Sequence, residues 1–295
     1  MTGKYAWLGN RILKEEILSD LADDRARERF VQGSFIAGAN DHDQAFFGCH
    51  IGCLMMARAR YQNRRNEFPV TLPELVASNE ENAASWHSDV PDKLGIPQSV
   101  AEFWDKFFEK LSPALAPRFA VESLECVPVG ADLSCVLPGL VAWLLSTFLD
   151  GAELTSPEAQ RLSVLMEAVA GAWRARAQNF DGPSSLGVGR LEDEHDELYR
   201  MVNGFKSELD PTFRFHWTVM ALVSASSGAI AVHTANAVID EWLEAIIEEA
   251  FPLPKVAEAP FDFADEAVGL RDVALWMVAD RFFHLCAAAP QGQPS

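Results

Sequence analysis

Pro97-Gln98-Ser99-Val100-Ala101-Glu102-Phe103-Trp104-Asp105-Lys106-Phe107-Phe108-Glu109-Lys110-Leu111 is the stretch that decides the fold class. Val100, Phe103, Trp104, Phe107 and Leu111 recur at a spacing that gathers them on one face of a helix. Glu102 and Lys106 lie one turn apart on the other face, a weakly stabilising pair. Pro97 suits a first helical turn, where its missing N–H costs nothing. The pattern predicts an amphipathic helix over 97–111 whose apolar stripe needs a core to cover it.

The same periodicity recurs on the C-terminal side. Thr155-Ser156-Pro157-Glu158 offers cap oxygens, an early proline and a first-turn acid ahead of Leu162, Leu165, Val169 and Trp173, so 156–177 reads as a helix. Over 190–209, Leu191, His195, Leu198, Val202, Phe205 and Leu209 keep a 4,3,4,3,4 spacing. Residues 237–250 bury Val238, Ile239, Trp242 and Ile246 and turn Asp240, Glu241, Glu244 and Glu248 to solvent; a last helix runs from about Asp262 to about Cys286. Fainter patterns place helices near 11–31, 51–64, 71–78, 115–126 and 135–149. Only 31–37 and 45–51 read as short strands, and alternating strand–helix units are absent, which argues against a Rossmann-like sheet.

The expected fold is therefore mainly α: a multi-helix globular bundle with at most one short β-hairpin near residues 31–51. Residues 1–286 read as one globular helical unit, with 1–178 and 190–286 as candidate lobes joined by the loop 179–189. Other loops are expected at 62–70, 78–95 and 251–262. The tail 287–295 lacks apolar anchors and is expected to be disordered.

Composition narrows the function classes. Forty-three Asp and Glu against 24 Lys and Arg give a formal charge of −19. Such a field repels phosphate backbones and anionic lipid headgroups, so non-specific nucleic-acid or membrane-surface binding is disfavoured. It serves solubility, and it suits a basic protein partner, nucleic-acid mimicry being the sharp form of that idea. Five cysteines at irregular spacing, with no apolar core of signal-peptide length at the start, point to a cytoplasmic protein with free thiols. Phe215 to Ile239 carries no formal charge and is long enough to span a bilayer. His216, His233, Asn236 and the Ser-Ala-Ser-Ser-Gly run at 224–228 instead suit helices buried in protein, broken near Gly228.

Chemistry concentrates at Gly48-Cys49-His50-Ile51-Gly52-Cys53, after Asn40-Asp41-His42-Asp43. A helix starting near Gly48 would put Cys49 in its first turn, where partial positive charge favours the thiolate. Cys49 is then a candidate nucleophile, with His50 beside it and His42, His87 or His195 as further candidate bases. The same residues admit a metal site, zinc held by Cys49, Cys53, His42 and nearby histidines. Against both stands the plainer reading, in which Cys49 and Cys53 are small buried residues beside glycines that permit close packing. Glu192 and His195 have Glu-x-x-His spacing, yet no second copy exists and His195 falls on an apolar stripe, as a core histidine would. Phosphate-loop, HExxH, GxSxG and CxxC motifs are absent.

Val31-Gln32-Gly33-Ser34-Phe35 followed by Gly48-Cys49-His50-Ile51-Gly52-Cys53 resembles a group of uncharacterised bacterial and phage-borne proteins with a G-x-[YF] segment ahead of a GC-x-[VI]-GC element. The likeness continues at Leu94-Gly95-Ile96-Pro97 and at Val127-Pro128-Val129-Gly130-Ala131-Asp132-Leu133. It implies that the double Gly-Cys element is a structural landmark and brings no activity with it. Three functions follow as expectations: an acidic interaction or regulatory protein with a basic partner, a cysteine-dependent enzyme, and a metal-binding helical protein.

Overall fold

The computed structural model describes residues 5–34, 36–37, 46–65, 85–149, 157–178, 199–204, 216–226, 231–250 and 262–291. They are mainly helical, with one two-stranded antiparallel sheet. The chain divides into two compact units: Met1–Leu133 together with Phe282–Ser295, and Ser134–Arg281. The division thus falls elsewhere than the 179–189 loop, whose residues lie outside those described.

In the first unit, α1 (Arg11–Ala26) starts at Asn10, whose side chain accepts from the Leu13 N–H at 3.1 Å, and buries Leu13, Ile17 and Leu21. It packs on α2 (His50–Arg64). Arg64 of α2 and Arg65 just after it reach Glu16 and Asp20 of α1 along the exposed edge of that contact. Deeper in, the buried carboxylate of Asp24 takes both Arg29 and Arg60, and both guanidinium groups stack on Phe46, at 4.9 and 5.5 Å from its ring centre.

Ahead of α1 the backbone makes a left-handed turn at Trp7 (φ 59°) and Leu8 (φ 52°). Contacts of its neighbours hold it: the buried Trp7 indole donates to Val127 O at 3.1 Å, and Lys14 Nζ donates to Glu125 O and Val127 O at 2.7 Å each. The lysine thereby caps the carbonyl end of α5 (Ala116–Glu125).

A helix α3 (Ser85–Leu94) stands where the sequence suggested a loop over 78–95. Pro91 inside it masks the pattern, yet Val90 and Leu94 are buried as one apolar face requires. Gly95 follows with φ 69°, and a Cβ there would strike the Tyr5 carbonyl, so glycine is demanded twice over.

The predicted 97–111 helix is α4 (Gln98–Lys110), with Val100, Phe103, Trp104 and Phe107 fully or almost fully buried. Its stripe meets α5 and the end of the last helix, α10 (Asp262–Ala287). Phe103 stacks on Phe282 at 4.9 Å, Phe107 meets Phe119 at 4.9 Å, and Phe119 stacks on Phe283 at 5.8 Å. That return also places residues 287–291 of the expected disordered tail, while 292–295 lie outside the described residues. Ala289 is buried, Asp132 N–H donates to Pro290 O, and Ala131 bridges Gln291. Backbone hydrogen bonds anchor the segment where apolar side chains are few.

The β pair, β1 (Ile36–Ala37) and β2 (Phe47–Gly48), aligns Ile36 with Gly48 and Ala37 with Phe47. Gly48 also bonds Arg29 O and Val31 N–H on the segment after α1, so it is held from two sides.

In the second unit, α6 (Val136–Leu149) packs on α7 (Pro157–Gln178), and α8 (His216–Ser226) and α9 (Ala231–Ala250) join them. The Leu162, Leu165, Val169 and Trp173 stripe is buried as predicted, and the Trp173 indole donates to Ala225 O at 2.9 Å. The uncharged stretch is two helices rather than one. Among the described residues no helix is long and apolar enough to cross a membrane. Asn236 is interior, whereas His233, expected inside, is exposed. Glu241, expected in solvent, is half-buried. Of the predicted 190–209 helix only 199–204 is described, and it is helical; 71–78 and His195 lie outside the described residues.

Candidate functional site

The Gly48–Cys53 element carries the chain out of β2 and into α2. Cys49 is the residue ahead of the helix, extended at φ −66° and ψ 179°. Its N–H donates to Ser34 O at 2.7 Å, and its carbonyl accepts from Cys53 N–H at 3.0 Å. The backbone is thus fixed on both sides before any side chain is considered.

The side chains then diverge. Cys53 turns its thiol back onto the main chain, donating to Gly48 O at 3.4 Å and lying 3.8 Å from Arg29 O. Cys49, 4 % exposed, hydrogen-bonds through its thiol to the carboxylate of Asp105 on α4. The other partner of that carboxylate is His87 of α3, whose Nε2–H donates to Asp105 Oδ2 at 3.2 Å. His50 goes inward, fully buried among Trp104, Phe108 and Phe119 at ring-centre distances of 5.4, 6.3 and 5.9 Å.

Electrostatics follow from this placement. Burial pushes the Cys49 thiol well above its ordinary pKa, and the Asp105 charge adds to the rise. The helix-end N–H groups of Gly52 and Ile51 pull the other way and lose. Cys53 is also raised strongly, by burial and then by the Asp24 charge. His50 is lowered to about 4, burial outweighing the nearby Asp105 charge and the carbonyls of Trp104 and Ala120. For Asp105, burial favours the acid form, but hydrogen bonds from His87 and Cys49 overcome it and the carboxyl stays below its usual range.

The thiolate is the nucleophilic form of cysteine, and this setting keeps Cys49 protonated at neutral pH. The expected helix-end effect exists but is smaller than desolvation. The histidine brought to the carboxylate beside Cys49 is His87, one of four candidate bases, and not the adjacent His50. His42 and His195 lie outside the described residues, so the zinc set of Cys49, Cys53 and His42 is not described as a whole. Among the described residues no group of three His, Cys, Asp or Glu side chains is placed to hold a metal ion.

Asp105 is the residue that sequence reasoning missed. Its one signal was its position beside Trp104 at the edge of an apolar stripe. A cavity of about 350 Å³ lies nearby, between Phe30, Phe108, Pro113 and Pro117. Phe108 lines that cavity and also contacts the ring of His50.

No family model, no curated protein and no solved structure matches this chain.

Proposed function

We propose that this chain is a non-enzymatic interaction or regulatory protein, soluble and cytoplasmic, whose acidic surface engages a basic partner. The observation that carries the reading is the charge of α9. The helix contains Asp240, Glu241, Glu244, Glu248 and Glu249 and no lysine or arginine. Asp240 and Glu244 are exposed and one turn apart. Like charges at that spacing destabilise a helix, and acids toward its C-terminal end oppose the macrodipole. A cationic surface laid against α9 would relieve both costs.

The test is retention of proteins from the native host on immobilised full-length chain. Basic proteins should be held at about 50 mM salt, released at about 500 mM, and lost with the double variant Asp240→Lys/Glu244→Lys. Retention indifferent to both salt and charge reversal would refute the reading.

Thiol chemistry at Cys49 is the second reading, and one observation favours it: the thiol sits on a carboxylate already paired with a histidine. Burial and the raised pKa weigh against it. Asp105 and His87 are the groups through which a proton would have to leave.

A further inference from the structure

Four polar atoms at the seam of α2 and α4 are buried without a nitrogen or oxygen partner in hydrogen-bond geometry: Nδ1 and Nε2 of His50, Nε1 of Trp104 and Oδ1 of Asp105. They are neighbours. The rings of His50 and Trp104 lie 5.4 Å apart, Asp105 follows Trp104 on α4, and its charge reaches His50. Leaving a buried donor or acceptor dry costs more than a typical hydrogen bond gains. Native interiors therefore satisfy such atoms, through protein groups or ordered water.

The set is chemically complementary. Indole N–H can only donate, an ionised carboxylate can only accept, and a neutral imidazole offers one of each. A water molecule has two donors and two acceptor sites, and interior waters use two to four of them. One water receiving the Trp104 N–H and donating to Asp105 Oδ1 and the free imidazole nitrogen would answer three of the four atoms. We infer that the α2–α4 seam is a specific internal water site, built by Trp104, His50 and Asp105 and taking one or two ordered waters. Those waters are part of the core: they allow a histidine to stand inside an aromatic box without an ion-pair partner. They also join the interior to the half-exposed His87–Asp105 pair.

Oxygen-17 magnetic relaxation dispersion on the full chain tests this, comparing the native protein with Trp104→Phe. Phenylalanine removes the N–H together with part of the indole ring, and the apolar space it leaves stays dry. The variant should lose the dispersion amplitude of about one long-lived water, with circular dichroism unchanged. Equal amplitudes in two folded proteins overturn the inference. If Trp104→Phe does not fold, a crystal structure of the native chain at about 1.5 Å decides. A solvent peak within hydrogen-bond reach of Trp104 Nε1 and of His50 or Asp105 supports the site. Direct donation from the indole to a protein oxygen refutes it.

Discussion

The thiol of Cys49, at the start of α2, hydrogen-bonds to the carboxylate of Asp105 in the middle of α4. Through that one carboxylate three helices meet, because His87 of α3 donates to its Oδ2. Truncating it strands two donors at once. Asp105→Ala should lower the unfolding free energy by about 1–3 kcal/mol. Urea titration with unchanged slope is the measurement, and a loss below about 0.5 kcal/mol would mean the contact carries no weight.

His50 makes stability pH-dependent in a defined window. Its folded pKa, about 4, lies below the roughly 6.5 of an unfolded histidine. As the pH falls through about 6.5 the unfolded chain takes up a proton that the folded chain refuses. Stability therefore declines between about pH 6.5 and 4 and this contribution levels off below. The loss is on the order of 3 kcal/mol. In urea titrations at pH 7 and 4.5, His50→Phe should show a smaller acid loss than the native chain. Identical pH profiles would contradict the burial of a neutral imidazole.

Asp24 is nearly inaccessible and answers two arginines. Removing one member of a buried ion-pair network leaves uncompensated charge. Asp24→Ala should therefore cost about 3–5 kcal/mol by chemical denaturation. Arg64→Ala, at an exposed edge of the same α1–α2 contact, should cost about 1 kcal/mol or less. Comparable losses would place the network's energy at the surface.

Two glycines with the same left-handed backbone should respond differently to alanine. Gly33 has φ 75° and open space, so Gly33→Ala pays only conformational strain, about 1–2 kcal/mol. Gly95 has φ 69° and the Tyr5 carbonyl where a Cβ would go. Gly95→Ala should destabilise by clearly more, or prevent folding, as read by thermal melts of the two variants side by side.

Helices announced themselves wherever an apolar stripe was long and unbroken, as in α4 and α7, since burial of such a stripe is what stabilises them. α3 escaped because Pro91 interrupts a short pattern. Residues 287–291 escaped because Pro290 and Gln291 are anchored by main-chain bonds, which leave no trace in side-chain composition. For the site, the sequence singled out Gly48–Cys53 and placed a helix start there, and α2 does begin at His50. It could not show that desolvation exceeds the helix-end effect at Cys49. Nor could it find Asp105, or single out His87 among the four candidate bases, because their approach depends on how α3, α4 and α2 pack.

The claim that the Gly48–Cys53 element is built into the interior is tested most directly by cysteine-resolved alkylation of the native chain at neutral pH. Cys126 and Cys135 are half-buried, whereas Cys49, Cys53 and Cys286 are buried. Cys126 and Cys135 should label first, and Cys49 only as denaturant opens the fold. Labelling of Cys49 ahead of the other four thiols in the folded protein would contradict the account and restore it as a nucleophile.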